Sequence, residues 1–453
     1  MKPSEDLKKL LSFYESELLG NVIPWWMEHA IDWENGGILQ FIEDDGTVVS
    51  QDKYLWSQLR ALYTWSALYN NIGQRHEWLE VAENIFEFVL AHGRDDEGRW
   101  VYWVDQDGKV KEGANSIYSD GFAIMGMTEY AKATGDQRAI QAALETYDNV
   151  QKRLAVPGSY LTAPYTIPEG AKAHGVSMIF STVFHELGKL LDDAEILQAS
   201  YEHAVQIMDH FRKPERKLLL EYTLLDGSEL DTPVGRAVVP GHAIESMWFV
   251  MHIFRDRREK ERIAQAIESI KWHIEACWDA EFGGMLLAID ADGNDEVAWE
   301  HHENKFWWPH TEAMYALLLA YEHCGEQWCL EWHDQVHEWA YAHFPVPEHG
   351  EWHMRLTHEG KVPEELLSLI ALPIKDPLHL PRALMMCIEV LGRLTSEQPH
   401  LTPFSKHLLR GSKTAFCSRG GNRRQRHEAL ILRHLLPGGR KSTLVASNQS
   451  SRL

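Results

Sequence analysis

An acidic residue followed by glycine recurs six times at a nearly constant spacing, and this repeat limits the fold more than any other feature of the chain. The glycines of the six pairs are Gly46, Gly108, Gly170, Gly227, Gly293 and Gly360, at intervals of 62, 62, 57, 66 and 67 residues. Most lie between short apolar and aromatic runs, as in GRWVYWVDQDGKV and GEWHMRLTHEGKV, which is typical of a β-hairpin with a glycine-containing turn. The run around Gly170 fits this pattern least well. The period predicts one closed array of repeats rather than two or three independent domains.

Pairs of segments with helical periodicity lie between successive hairpins. They are predicted at about 54–72 and 76–92, 118–134 and 136–153, 176–191 and 195–211, 242–255 and 258–276, and 308–323 and 327–343. Further helices are predicted at about 5–30 and 377–394, so that the last can pair with the first. No alternation of strand, helix and strand occurs. The pattern predicts an all-α fold, an (α/α)6 barrel over residues 1–395 whose helix pairs are joined by short β-hairpins.

The helices that follow the hairpins should form one ring, and those that precede the hairpins the other. The first set carries most of the unusual polar residues, which indicates that it is the inner ring. We expect these residues to face a central cavity: Arg60, Asp120, His242, Glu245, His310, Glu312, His379 and Arg382.

The charge of the chain is uneven. Its formal net charge of −23 argues against nucleic acid or an anionic membrane as a partner. From residue 396 onward, however, there are 11 Lys and Arg and only 2 Asp and Glu. This break in composition predicts a basic, disordered C-terminal extension over residues 396–453. The extension either has no role or is a basic arm for an acidic partner.

The cellular compartment is suggested by the cysteines and by the first residues of the chain. The five cysteines show no CxxC spacing, which favours free thiols in a reducing compartment. No apolar run reaches the length of about 18 residues that a membrane span needs. The charged, amphipathic start does not resemble a signal peptide. We therefore predict a cytoplasmic protein without a membrane span.

Two histidines stand at the predicted starts of inner helices. His242 follows a Pro-Gly pair and lies three residues before Glu245, so the two side chains share a helix face, where a carboxylate can fix the imidazole tautomer. His379, in DPLHLPRALM, lies three residues before Arg382. Each histidine alone could equally form a structural hydrogen bond at a helix end. Two bases across a cavity suit a reaction that removes a proton from one face of a carbon and returns one to the other.

Residues on other inner helices complete the candidate site. In FWWPHTEAM, Trp308 can stack on a sugar and Glu312 can hydrogen-bond its hydroxyls, although a core Trp and a surface Glu are an equal alternative. Arg60, amid the aromatics of KYLWSQLRALYTW, can stabilise an enediolate oxygen or form a structural ion pair. With Glu245, these residues are our candidates for binding the substrate.

Several kinds of site are excluded by the sequence. It has no Walker loop, no Gly-rich dinucleotide fingerprint and no Gly-x-Ser-x-Gly elbow. The cluster His301-His302-Glu303 has poor spacing for metal ligands. We therefore predict neither a cofactor nor a metal.

At these residues the chain resembles the N-acylglucosamine 2-epimerase family, which includes renin-binding protein and is related to the cellobiose 2-epimerases. The matching stretches span residues 10–394 and include DKYLWSQLRALYTW, PGHAIESMWF, NKFWWPHTEAM and HLPRALMMC. The resemblance implies an (α/α)6 barrel with the site in its central cleft and a homodimer. It implies His242 and His379 as the catalytic bases, with Arg60 and Glu312 matching the family's Arg and Glu.

The sequence departs from the family pattern in two places. The N-acylglucosamine members carry a Gly- and Lys-rich stretch before the last His, and some respond to ATP, whereas this chain has LLSLIALPIKDPLH there. The cellobiose epimerases have a further His in the inner helix near residue 180, where this chain has Ser181 and Val183. The first departure weakens the case for nucleotide activation, and the second weakens the case for a disaccharide substrate.

The expected function is a sugar 2-epimerase that inverts C2 of an aldose of the N-acylglucosamine and N-acylmannosamine type by two-base proton transfer. An aldose–ketose isomerase of the mannose–fructose type would use the same bases, and unsubstituted mannose, glucose or cellobiose are alternative substrates. A glycoside hydrolase or lyase on this barrel would need paired carboxylates instead. A non-catalytic binding protein would not need both histidines and Arg60.

Overall fold

The computed structural model describes residues 3–156, 158–363 and 374–396 of the 453-residue chain. The contacts of the chain divide it into two units, 1–397 and 398–453. The second unit lies outside the described residues, and with it nearly all of the extension that the composition predicts. Within the described part, no helix combines the length and the apolar character that crossing a bilayer requires.

The described part is mostly helical. Its α-helices are α1 (Pro3–Glu17), α2 (Ile23–His29), α3 (Leu55–Ala67), α4 (His76–His92), α5 (Ile117–Thr134), α6 (Gln137–Leu154), α7 (His174–Leu191), α8 (Ala194–Gln206), α9 (Pro240–Arg257), α10 (Lys260–Cys277), α11 (Trp307–Cys324), α12 (Gln327–His343) and α13 (His379–Thr395). A turn of π-helix extends α1, α3 and α8 at Leu18–Val22, Leu68–Ile72 and Ile207–Phe211.

The ends of these helices follow local sequence signals. Pro240 occupies the first turn of α9, where its missing N–H leaves no helical hydrogen bond unmade. The Asp136 carboxylate accepts the backbone N–H of Arg138 and so caps the start of α6. Gly135 and Gly325 end α5 and α11 with φ of 73° and 69°, a conformation that glycine adopts without steric cost. The predicted helix positions are confirmed.

The helices pack in two alternating sets. Helices α3, α5, α7, α9, α11 and α13 each contact the next in that order, and α13 also contacts the π-helical end of α3. Each of them also packs against a helix of the second set: α4, α6, α8, α10, α12 and, for α13, α1. The first set is the one that the sequence assigns to the inner ring.

Short antiparallel strands join the helix pairs. They are β1 (Phe41–Ile42), β2 (Val48–Ser50), β3 (Lys53–Tyr54), β4 (Trp103–Val104), β5 (Val110–Glu112), β6 (Ala171–Ala173), β7 (Arg212–Lys213), β8 (Leu218–Leu219), β9 (Tyr222–Leu224), β10 (Ala237–Val238), β11 (Ile289–Asp290), β12 (Lys305–Phe306) and β13 (Arg355–Leu356). The hairpins predicted at Gly46 and Gly108 form as β1–β2 and β4–β5, and a single bridge from Thr223 to Glu229 closes the turn at Gly227.

The strand pairings predicted at Gly170, Gly293 and Gly360 are wrong. There β6 pairs with β9, β11 with β10, and β13 with β12, as β4 also does with β3. The strands β3, β6, β10 and β12 directly precede the inner helices α3, α7, α9 and α11. Each of these four strands, here called the entry strands, thus satisfies backbone groups on a strand of the next repeat.

Most of the tryptophans with little exposed surface pack in the apolar core. Trp26, Trp65, Trp78, Trp100 and Trp352 are fully buried in one continuous apolar cluster. The tryptophan content therefore reflects packing between helices to a large extent, and only particular indoles are free to line a site.

Candidate active site

The first turns of α9, α11 and α13 bring the candidate residues together. His242 lies in the first turn of α9, Trp308 in that of α11, and His379 is the first residue of α13. A Cβ on Gly241 would lie 2.5 Å from Cζ3 of Trp308, so only glycine allows the indole to lie this close to the start of α9.

Trp308 contacts both histidines. Its ring centroid is 4.9 Å from that of His242, at an interplanar angle of 29°, and 5.7 Å from that of His379. Both imidazoles therefore border one indole, at the starts of helices that pack side by side.

His242 is held by a carboxylate that sequence reasoning missed. Its Nδ1 lies 3.2 Å from Oε1 of Glu221, which stands between β8 and β9. Burial alone would lower the pKa of His242, but the charge and hydrogen bond of Glu221 outweigh it and raise the pKa above its ordinary value. The pKa of Glu221 lies well below its usual range, because His242 and His174 oppose the effect of burial. Glu221 belongs to no motif, and only the strand pairing that places it beside α7 and α9 reveals it.

His379 is held by a different carboxylate. Its Nδ1 lies 2.8 Å from Oε1 of Glu312 on α11, and its backbone N–H donates to Oδ2 of Asp376 at 2.7 Å. Trp248 donates its indole N–H to Oε2 of Glu312 at 2.9 Å. Burial would raise the pKa of Glu312, yet Arg382 and His379 lower it to about 2, so the group is a carboxylate at neutral pH.

Arg382 joins the two candidate glutamates. Its Nη2 donates to Oε1 of Glu245 at 2.5 Å and to Oε1 of Glu312 at 2.7 Å, and its guanidinium lies over Trp248, 5.1 Å from the ring centroid. Burial alone would lower the pKa of Arg382, but the two carboxylates raise it. Glu245, a candidate for binding the substrate, thus has its charge matched within the protein.

Arg60 reaches the same region from α3. Its Nη1 donates to Oδ1 of Asp376 at 3.0 Å, and its guanidinium lies between the rings of Trp56 and Phe122, 4.9 Å and 4.2 Å from their centroids. Burial lowers its pKa, and its Nε, also buried, has no hydrogen-bond partner in the protein. Through Asp376, Arg60 is connected to the backbone of His379.

Two residues expected in the cavity are engaged elsewhere. His310 accepts the backbone N–H of Met285 at Nε2, 2.9 Å away, and its ring stacks on Trp339 of α12. Asp120 pairs with Arg153 of α6 at 2.8 Å. Helical period alone could not separate them from the residues that border the site, since the partner of each lies on a second-set helix or a connector.

One group among the described residues has the spacing of metal ligands: Glu245, Glu312 and His379, whose ligand atoms lie within 4.8 Å of one another. Arg382 donates to both of these carboxylates. A bound guanidinium already supplies the positive charge that a cation would bring there, so the donor set fits an ion-pair network better than a metal.

Known proteins resemble this chain in sequence. The family described as N-acylglucosamine 2-epimerase matches residues 36–368. The N-acylglucosamine 2-epimerase of Rattus norvegicus is 31% identical over 399 residues, covering 83% of this chain and 90% of its own. The cellobiose 2-epimerase of Bacteroides fragilis is 26% identical over 402 residues, covering 83% of this chain and 97% of its own.

The fold also matches solved structures. That of the cellobiose 2-epimerase from Spirochaeta thermophila superimposes with a TM-score of 0.74 at 20% identity, covering 86% of this chain and 99% of that one. This chain belongs to the N-acylglucosamine 2-epimerase family.

Proposed function

We propose that this member of the family is a sugar 2-epimerase that inverts C2 of an N-acylated aldose, of the N-acylglucosamine and N-acylmannosamine type. The observation that carries the proposal is the pair of imidazoles, His242 and His379. They enter from two helices, border the same indole, and each has its Nδ1 on a buried carboxylate. In both, the carboxylate favours the proton on Nδ1 and leaves Nε2 as the base.

The reaction needs two proton transfers and no redox step. The C1 carbonyl of the open-chain aldose acidifies the C2 proton. One histidine removes it through Nε2. The electron pair of the broken C–H bond forms a C1=C2 double bond, and the carbonyl π electrons move to O1 to give an enolate. The other histidine, as imidazolium, donates a proton to the opposite face of C2, and the carbonyl forms again. Each positioned base contributes about 10²–10⁴-fold to the rate.

The charged groups around the histidines fit this cycle. Arg60 is partly exposed, with 19% of its side-chain surface accessible, and can donate to O1, the oxygen that gains charge in the enolate. Trp308 contacts both bases, and an indole there can pack against a sugar. Glu245 and Glu312 share Arg382, which keeps the Glu312 carboxylate fixed against His379.

The proposed sugar is chosen from the names of the relatives and their sequence identities. The curated relatives near 31% identity are named N-acylglucosamine 2-epimerases, whereas the cellobiose 2-epimerases are near 26%. In addition, Ser181 and Val183 stand where a further histidine would be expected for a disaccharide. Both residues are buried.

The test is exchange at C2 in D2O, followed by proton NMR with N-acetylglucosamine, N-acetylmannosamine, mannose, glucose and cellobiose. The parent protein should interconvert the two N-acetylated epimers with deuterium incorporated at C2. In His242→Asn and His379→Asn, epimerisation should be nearly abolished, while each variant retains exchange without inversion from one epimer only.

Two results would contradict the proposal. Formation of a ketose would make the protein an isomerase, which returns the proton to C1. If both variants epimerised within about tenfold of the parent, the loss would be too small for a general base.

We also propose that the helices close into an (α/α)6 barrel and that the protein is a cytoplasmic homodimer. The order of helix contacts, with α13 reaching both α1 and the end of α3, supports closure. Free thiols support a reducing compartment, since the four described cysteines are unpaired with one another by disulfides. Sedimentation analysis of the full chain tests the dimer.

A further inference from the structure

A second histidine lies behind His242 on the same carboxylate. His174, the first residue of α7, is fully buried, and its Nδ1 lies 3.6 Å from Oε2 of Glu221. This distance is longer than a hydrogen bond, and neither of these two buried atoms has a hydrogen-bond partner among the described residues, so each is the nearest available partner of the other. On its far side, His174 Nε2 lies 2.6 Å from Oγ of Ser246, which is also fully buried.

The proton positions along Glu221, His174 and Ser246 follow from the chemistry of these side chains. An Nδ1 lone pair facing a carboxylate oxygen would be repelled, so His174 carries its proton on Nδ1, toward Glu221. Its Nε2 then accepts the hydroxyl proton of Ser246. Glu221 thus faces two imidazole N–H groups, one at each oxygen, that of His242 at 3.2 Å and that of His174 at 3.6 Å.

We infer that Glu221, His174 and Ser246 form a buried positioning chain that holds His242 with its proton on Nδ1 and its Nε2 toward the site. The chain starts and ends on α9, because Ser246 lies one turn after His242. It crosses the start of α7 and the connector between β8 and β9, whose backbone is fixed as well: His174 N–H donates to the Glu221 carbonyl at 2.9 Å. Neither ring of the pair can turn without breaking a buried hydrogen bond.

The chain serves one base only. His379 depends on Glu312, whose other partners are Arg382 and Trp248. Among the described residues, no hydrogen bond joins the positioning chain to that group. The two faces of C2 are therefore supported by separate buried networks. This inference rests on the proposed function. It predicts that a substitution in the positioning chain affects proton transfer at one face of C2.

The test uses the full chain with N-acetylglucosamine and N-acetylmannosamine in D2O. In Glu221→Gln, exchange from the epimer that His242 deprotonates should fall about 10²-fold, within the range for a positioned base. Exchange from the other epimer, and KM, should change less than about threefold. His174→Gln and Ser246→Ala should show the same one-sided loss, of about tenfold, as expected for groups that act through another residue.

The pH profile gives a readout that a packing defect does not reproduce. His242 must be neutral to act as a base, and Glu221 raises its pKa, with Glu245 acting in the same direction and Arg60 against it. Removing the charge of Glu221 should therefore move the acid limb for that epimer to lower pH, while the limb for the other epimer stays in place.

His185→Gln is the matched control. His185 also lies on α7 and also links it to α9, with Nε2 3.0 Å from Oδ2 of Asp256, but it is eleven residues from His174. The His185→Gln variant should lose stability, but it should not lose C2 exchange from one epimer only, and the acid limb of its pH profile should not move. Equal losses at both faces in Glu221→Gln, or a normal acid limb, would overturn the inference. If the parent protein exchanged C2 of neither sugar, the proposed function itself would fail instead.

Discussion

Replacement of Glu312 by glutamine is the most informative single perturbation of this site. The carboxylate has 1% of its side chain exposed and accepts hydrogen bonds from His379, Arg382 and Trp248. Glutamine keeps the shape and one oxygen but removes the charge. Arg382 would retain only Glu245 as its counter-charge, and His379 would lose the anion that fixes its tautomer.

The expected loss of stability can be worked out from the pKa. The folded state lowers the pKa of Glu312 from 4.5 to about 2. At about 1.4 kcal/mol for each pKa unit, the ionised group contributes about 3 kcal/mol to the free energy of unfolding at neutral pH. Removing one partner of a buried ion pair typically costs about 3–5 kcal/mol, which agrees. Because His379 is the affected base, kcat should also fall by about 10²-fold.

The pH dependence has a defined sign. A carboxyl group with a depressed folded pKa stabilises the protein above its unfolded pKa and loses this contribution as pH falls toward the folded value. The contribution of the Glu312 carboxyl group to the difference in unfolding free energy between the parent and Glu312→Gln should thus be constant from pH 8 to about 5.5. It should shrink as pH falls from about 4.5 toward 2.

Urea denaturation at several pH values, followed by tryptophan fluorescence, measures this difference. Glu322→Gln is the matched control, since Glu322 also lies on α11 and pairs with an arginine of α13, Arg393 at 2.6 Å, but with about a quarter of each side chain exposed. It should cost no more than about 1 kcal/mol. A cost for Glu312→Gln as small as the control's, or a difference that does not shrink between pH 4.5 and 2, would refute the reasoning.

Three further predictions concern other parts of the chain. Arg60→Lys should lower kcat far more than stability, because lysine keeps the charge but loses the planar set of donors; steady-state kinetics beside thermal melting check this, and unchanged turnover removes Arg60 from the site. Lys53→Met should cost about 3–5 kcal/mol in urea denaturation with little change in kcat, since it strips a fully buried partner, 2.8 Å away, from Asp32. Truncation after Leu394 should leave melting temperature and activity nearly unchanged, and a large drop in melting temperature would show that the extension packs on the helices.

The helices could be predicted because their signals are local. The apolar period, the proline at the start of α9 and the glycines after α5 and α11 act within a turn or two of the residues that carry them. The strands could be located but not paired. Whether a run such as MLLAID pairs with the residues that follow it or with Ala237–Val238 depends on which repeat lies beside it, and alternation within a strand holds no such information.

In the candidate site, too, residues with local sequence signals could be predicted, whereas residues that depend on contacts between repeats could not. His242, His379, Trp308 and Glu312 stand at helix starts that the repeat places at one end of one set of helices, and the structure brings them together. Glu221 could not be found, because its importance depends on a strand pairing between repeats. The position of Arg382 was visible from its spacing to His379, but its two carboxylate partners come from other helices.

The pairing of entry strands with the next repeat has a consequence for how the molecule can be divided. Since β3, β6, β10 and β12 each complete a sheet of the neighbouring unit, cutting the chain between two helix pairs leaves an exposed strand edge on both pieces. Single units excised from the middle should therefore aggregate rather than fold. Amides of the entry strands and of the helix starts behind them should exchange with solvent only in openings that involve two adjacent units. Circular permutants should tolerate new ends in exposed loops between the helices of one unit better than in the connectors between units.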